Sequence, residues 1–183
     1  MALTVTPTEI PDVLLLQPDV FKDPRGYFFE SFNQARFTES TGIKHGFVQD
    51  NQSRSATGVL RGLHYQYNCP QAKLIRVLSG VIFDVAVDLR RSSETFGCWV
   101  GFELSSDNHS QAYIPVGFAH GFLVLSESAD ILYKTSEYWD PTSEYTLKWD
   151  DPTVGITWPM QQEPILASKD AHGSAWENCP FFA

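Results

Sequence analysis

The sequence predicts an all-β chain folded as an antiparallel sandwich or barrel, and two observations carry that reading. Short runs rich in Val, Ile, Leu, Phe and Tyr recur along most of the 183 residues, with Gly, Pro, Ser or Asn between them. Helical patterning is confined to one short segment, whereas a parallel α/β fold needs recurring amphipathic helices. No repeat, low-complexity tract or linker divides the chain. Residues 1–183 are therefore read as one domain with one or two short helices, long enough to bury a proper core.

Taken in order, residues 13–16 are an apolar run closed by Gln17-Pro18, the first expected strand. Residues 20–32 hold a turn at Asp23-Pro24-Arg25-Gly26 and then the aromatic run Tyr27-Phe28-Phe29-Glu30-Ser31-Phe32. Asn33 is placed to cap a helix running through Ser40, with Gly42 at its stop. Residues 47–51 alternate, so that Phe47, Gln49 and Asn51 share a face. A core strand points Gln and Asn inward only where something satisfies their amides.

The stretch from Gly58 to Asp88 organises the rest. It contains three β-rich runs separated by turn signals at Asn68-Cys69-Pro70 and Ser79-Gly80. It also gathers groups that strands seldom need for folding, namely Arg61, His64, Lys73 and Asp84. Strict alternation sends Arg61 and His64 to opposite faces. Gly62 between them can host a bulge or a close approach of ligand to backbone, and either brings the two together. This stretch is expected to floor an active site. Further strands are expected at residues 99–104, 111–114, 121–125 and 129–135, with edge strands at 147–149 and 156–159 and a surface-wrapping tail from residue 168 onward.

A net charge of −9 and a pI near 4.9 argue against nucleic acid as a partner, while leaving room for a small phosphorylated ligand held by a few local cations. The N-terminal residues lack a basic segment followed by an apolar one, and no apolar run approaches the length of a membrane span. Three widely spaced cysteines fit reduced thiols better than a disulfide frame or a zinc site. The expectation is a cytoplasmic protein that does not meet a membrane.

Residues 115–122, Pro-Val-Gly-Phe-Ala-His-Gly-Phe, carry the spacing Pro-x-Gly-x-x-His. This resembles the second signature of the cupin superfamily of jelly-roll barrels, and implies a cupin-like jelly roll here. In metal-binding cupins that histidine joins a His-x-His pair and a Glu. This chain has His64-Tyr65-Gln66 instead, so no metal is expected. Taken alone, His120 is either a hydrogen-bonded structural histidine or a ligand contact.

More blocks then fall in a fixed order: Asp23-Pro24-Arg25-Gly26-Tyr27-Phe28-Phe29-Glu30, Phe47-Val48-Gln49-Asp50-Asn51, Leu60-Arg61-Gly62-Leu63-His64-Tyr65-Gln66, residues 114–122, Leu132-Tyr133-Lys134 and Ser168-Lys169-Asp170. Together they resemble the dTDP-4-dehydrorhamnose 3,5-epimerase family, from about Pro11 to Asp170. The resemblance implies a cofactor-free homodimer acting on a dTDP-4-keto-6-deoxyhexose.

The chemistry needed for such a substrate can be stated independently. A C4 ketone acidifies the C–H bonds at C3 and C5; inversion takes a base on one face, an acid on the other, and a cation for the enolate oxygen. By resemblance His64 is the base, Asp170 the carboxylate that orients it, Lys73 the cation and Tyr133 the acid. On residue type alone, Tyr133 is equally a packing side chain and Asp170 a turn former or cap. The resemblance implies a dTDP-sugar, to whose pyrophosphate Arg25 and Arg61 can offer forked hydrogen bonds. It implies that Phe21, Arg25 and Glu30 reach a neighbouring subunit's nucleotide, and that Gln49, Asn51, His120, Glu144 and Lys169 bind substrate. Thymine is expected to stack near Tyr138-Trp139; strand parity favours Trp139, which shares the Tyr133 face, over Tyr138. Relatives that epimerise only C3 or only C5 share the base and acid, so the number of inverted centres stays open. A metal-dependent cupin enzyme and a non-catalytic sugar-binding jelly roll are the other readings.

Overall fold

The β-rich runs pair into two antiparallel sheets that face one another, a jelly roll, in a computed structural model that describes residues 1–183. In chain order the strands are β1 (Leu3–Pro7), β2 (Leu14–Pro18), β3 (Phe21–Asp23) and β4 (Gly26–Phe28), followed by helix α1 (Gln34–Thr41). Then come β5 (Gln49–Ala56), β6 (Leu60–Gln66), β7 (Lys73–Ser79), β8 (Val81–Asp88), β9 (Trp99–Ser105), β10 (Gln111–Ile114), β11 (Phe118–Val124), β12 (Ser128–Thr135), β13 (Glu144–Thr146) and the short helix α2 (Ser168–Ala171). One sheet has the order β1-β2-β10-β7-β12-β5 and the other β13-β6-β11-β8-β9, with β3 and β4 forming a separate hairpin. No helix is long and apolar enough to cross a membrane, and all three cysteines are free.

Alternation decides which side chains meet between the sheets. Ile75 and Val77 of β7 and Ile131 of β12 face Ile82 and Ala86 of β8 and Phe118 and Phe122 of β11 in one apolar cluster. The opposite parity of β8, Val85 and Val87, joins Leu60, Leu63, Trp158 and Cys179 in a second cluster on the outside of the five-stranded sheet. The tail makes that outer layer. Gly173 and Ser174 lie along β13 and the residues after it, Ser174 N–H bonding Thr146 O at 2.8 Å, and Phe182 N–H reaches Leu89 O at 3.0 Å. Helix α1 covers the other sheet through Phe37, which packs with Leu16, Leu74 and Tyr113.

Several expectations are met closely. Asn33 caps α1 through its side-chain oxygen, which accepts from Arg36 N–H at 3.2 Å, and Gly42 ends it in the left-handed region at φ 76°. Others are corrected. Strand β1 lies in a segment for which no strand was expected. The expected edge strand at residues 147–149 sits three residues earlier, as β13; Leu147 follows it, exchanging backbone hydrogen bonds with Leu63 and bridging Ser174. Residues 156–159 form no strand; Trp158 there is buried by packing and by donating its indole N–H to Trp149 O at 3.0 Å. Phe47 precedes β5 rather than sharing the Gln49 face, and packs beside Phe32 and Phe37. The three runs of the 58–88 stretch do not form one sheet: β6 and β8 belong to one and β7 to the other, so their polar groups face each other across the interior.

Candidate active site

At one end of the sandwich the inward parity turns polar. Gln49, Asn51 and Ser53 of β5, Tyr133 of β12 and Lys73 of β7 line a cavity of about 370 Å³ from one sheet. Arg61, His64 and Gln66 of β6, His120 and Phe122 of β11 and Glu144 of β13 line it from the other, and Lys169 and Asp170 of α2 close one side. The volume lies in the range of small-molecule sites.

Strand β6 solves the parity problem by a bulge. Pairing with β11 runs His64 opposite His120 but Arg61 opposite Phe122, a register shift centred on Gly62. Gly62 sits at φ +132°, and a Cβ there would lie 2.5 Å from the Cα of Gly121. Only glycine allows this conformation and this approach of two backbones. The close approach is thus strand to strand. With the extra residue absorbed, Arg61, His64 and Gln66 all point inward, while Leu60, Leu63 and Tyr65 pack outward.

His64 Nε2 lies 2.5 Å from Asp170 Oδ1, and Asp170 is 1% exposed. Asp170 sits in α2 and is no cap: that helix has no side-chain cap, and its carboxylate goes to the imidazole. Burial pushes the His64 pKa below its ordinary value; the Asp170 hydrogen bond opposes this, and Lys169 and Lys73 add to it. The ring is therefore neutral near pH 7, the state in which it accepts a proton. Lys73 is buried, donates to His64 O at 3.1 Å, and is pushed down to about 8 by burial against the charges of Asp84 and Glu144. Burial also raises the Tyr133 phenol above 10; Glu144 adds to this and Arg61 opposes it. It remains protonated across the physiological range.

The remaining expected residues divide. Arg61 gives its Nε–H to Ser55 Oγ at 2.9 Å and leaves the end of its fork free toward the cavity. Glu144 and Lys169 pair with one another at 3.1 Å. His120 is both structural and at the site, since its Nε2 lies 2.9 Å from Asp84 Oδ2 while the ring lines the cavity. Trp139 lines the cavity and Tyr138 does not, although β12 ends at Thr135 and parity along a regular strand is not the cause. Trp139 is held instead by its backbone N–H, which donates to Gln49 Oε1 at 3.1 Å.

Phe21 and Arg25 stand on the β3–β4 hairpin away from this cavity, and Glu30 pairs with Arg36 at 2.6 Å beside α1. Ser53, Gln66 and Phe122 were not singled out in sequence; each shares strand parity with a residue that was, Asn51, His64 and His120 respectively. No group of three or more His, Cys, Asp or Glu side chains is assembled as a metal cage.

Residues 7–178 match the family model described as dTDP-4-dehydrorhamnose 3,5-epimerase. A Pseudomonas aeruginosa protein of that name is 54% identical over 180 residues, which span 98% of this chain and 99% of the relative. The crystal structure of a dTDP-6-deoxy-D-glucose-3,5-epimerase from Legionella pneumophila in complex with dTDP-4-keto-L-rhamnose superposes with a TM-score of 0.95 at 47% identity, covering 97% of this chain and 95% of that one. A 3'-monoepimerase from Streptomyces bikiniensis in complex with dTDP-quinovose superposes with a TM-score of 0.86 at 32% identity, covering 92% and 86%. The chain belongs to the dTDP-4-dehydrorhamnose 3,5-epimerase family.

Proposed function

We infer that the chain converts dTDP-4-dehydro-6-deoxy-D-glucose to dTDP-4-dehydro-L-rhamnose by inverting C3 and C5, a step of dTDP-L-rhamnose biosynthesis. The observation that carries this is the placement of a carboxylate-bonded imidazole, His64, and a phenol, Tyr133, on opposite sheets of one cavity. His64 removes the proton alpha to the C4 ketone, and Asp170 holds the ring and balances the imidazolium that forms. Lys73 faces the enolate oxygen, where a cation in a water-poor site lowers the barrier most. Tyr133 then delivers a proton from the other face. Each positioned acid or base contributes roughly 10²–10⁴-fold. Identity of 54% with a 3,5-epimerase, against 32% with the monoepimerase, favours inversion of both centres.

Arg61 and Lys169 offer cations to the pyrophosphate, with Gln49, Asn51, His120 and Glu144 as further contacts and Trp139 stacking on thymine. The working unit is a homodimer. The β3–β4 hairpin is bonded to neither sheet and leaves Phe21, Tyr27 and Phe28 more than half exposed. Arg25 at its tip has 90% of its side chain exposed and bonds only Asp23. An aromatic hairpin of this kind is covered by a second copy, which would receive Phe21, Arg25 and Glu30 at its nucleotide site. Free thiols suit a cytoplasmic setting.

The test is incubation with dTDP-4-keto-6-deoxyglucose in deuterated water, followed by NMR at C3 and C5. Deuterium enters both carbons if this reading holds. Label at one carbon makes the chain a monoepimerase, and label at neither removes the epimerase reading.

A further inference from the structure

Asp84 sits in the middle of β8 with 0% exposure, on the inward face between Ile82 and Ala86. Its Oδ2 meets Nε2 of His120 at 2.9 Å, but its Oδ1 is buried without any hydrogen-bond partner. Lys73, on the facing sheet, is 8% exposed; its ammonium is held by a single carbonyl, that of His64, and forms no ion pair. Two buried charges of opposite sign therefore share one interior, and each is only partly satisfied. A buried carboxylate with an orphaned oxygen is costly, and such a group persists where its charge is used.

We propose that Asp84 is a positioning residue of the epimerase site, whose carboxylate keeps Lys73 an ammonium inside the cavity and holds the His120 ring at the cavity wall. The inference rests on the epimerase reading, in which Lys73 faces the enolate oxygen, and it adds a group that touches no substrate atom. The other polar groups facing this interior are mostly taken up by partners of their own. Glu144 on β13 is paired with Lys169 on α2, and His64 on β6 with Asp170 on α2. Arg61 on β6 is turned to Ser55, Tyr133 on β12 is a neutral phenol, and β9 sets Phe102 opposite Asp84. Asp84 is the carboxylate left with a buried oxygen that no donor meets. Burial drives the Lys73 ammonium down to about 8, and Asp84 is the foremost of the charges that hold it up. Without that charge the lysine loses its proton near neutral pH, and a neutral amine steadies an enolate poorly.

The experiment is the pH dependence of solvent-deuterium incorporation into dTDP-4-keto-6-deoxyglucose by the wild type and by Asp84→Asn, with folding followed by circular dichroism and thermal melting. The wild type is expected to lose activity on an alkaline limb centred at about 8. Asp84→Asn moves that limb down by about one pH unit or more, a roughly tenfold loss near pH 9 that recovers towards pH 6, while the acid limb set by His64 stays in place. Asp84→Ser, smaller and still able to bond His120, shifts it the same way, and Asp84→Glu, which retains the charge, leaves it near the wild-type position even at reduced rate. A folded Asp84→Asn or Asp84→Ser that lowers exchange by one factor at every pH, or leaves the profile unchanged, overturns the proposal. So does a wild-type profile with no alkaline limb, whatever the variants do. A wild type that incorporates no deuterium at all instead defeats the epimerase reading on which the proposal stands.

Discussion

Asp170 Oδ1 lies 2.5 Å from His64 Nε2, joining a four-residue helix in the tail to a bulged strand 106 positions earlier in the chain. The tail fixes this pair, since Gly173 and Ser174 run alongside Leu147 and Lys148 immediately after the helix ends.

Asp170→Asn removes a charge-assisted bond of about 1.5–3 kcal/mol and is expected to lower deuterium exchange by roughly 10–10²-fold with the fold intact. The sign of the pH effect follows from the same contact. Asp170 raises the His64 pKa against the larger lowering by burial, so its removal lets that pKa fall further. The acid limb of kcat/KM should therefore move to lower pH while the plateau drops. An unchanged plateau and an unchanged limb would dissociate Asp170 from the base.

Trp139 lines the cavity with 56% of its surface open, ready to be covered by a base. Stacking of a base on an aromatic contributes about 1–3 kcal/mol, so Trp139→Ala is expected to weaken dTDP binding by roughly 5–150-fold in calorimetry. Tyr138→Ala is expected to bind within about twofold of wild type, because Tyr138 does not line the cavity. The reverse order would move the thymine site.

Subunit mixing tests the exchange of hairpins. Arg25→Ala and His64→Ala homodimers are each expected to be nearly inactive. After co-refolding in equal amounts, half of the dimers are mixed, and each has one site with His64 intact and Arg25 supplied by its partner. Activity should then rise to roughly a quarter of the wild-type level, as two-fold symmetry requires. If Arg25 acts within its own chain, or not at all, no such rise appears.

Much of this arrangement is legible in the sequence because it is local. The cap at Asn33, the stop at Gly42 and the turn at Ser79-Gly80 bring their own chemistry. The pair Gln49 and Asn51 announces an inward polar face by alternation alone. Glycine between Arg61 and His64 marks an irregularity, a bulge or a close approach, since no regular strand puts both on one side; the pairing with β11 makes it a bulge. What escapes is decided at long range. Trp158 is buried in the outer cluster beside Phe83 and not in a ladder, so its neighbours look like a strand with none to join. Glu144 gains its place from pairing of β13 with β6, a contact that its own neighbours in sequence do not show and that the family resemblance alone pointed to. Asp84 stands out in sequence as a charge in an apolar run, but only the facing sheet reveals which cation it answers.

The central claim is that proton removal and proton return belong to different side chains on opposite sides of the sugar, and it is tested most directly by comparing His64→Asn with Tyr133→Phe in deuterated water. Both variants are first shown to be folded, since a buried phenol can also lose a hydrogen bond of about 1 kcal/mol. Following deuterium at C3 and C5 together with the configuration of the product separates the two steps. His64→Asn should abolish exchange and inversion alike, because no enolate forms. Tyr133→Phe should still exchange, returning a deuteron from His64 to the face it left, while inversion falls by on the order of 10²–10⁴-fold. Inversion of both centres by Tyr133→Phe at the wild-type rate, or exchange surviving in His64→Asn, would contradict the assignment.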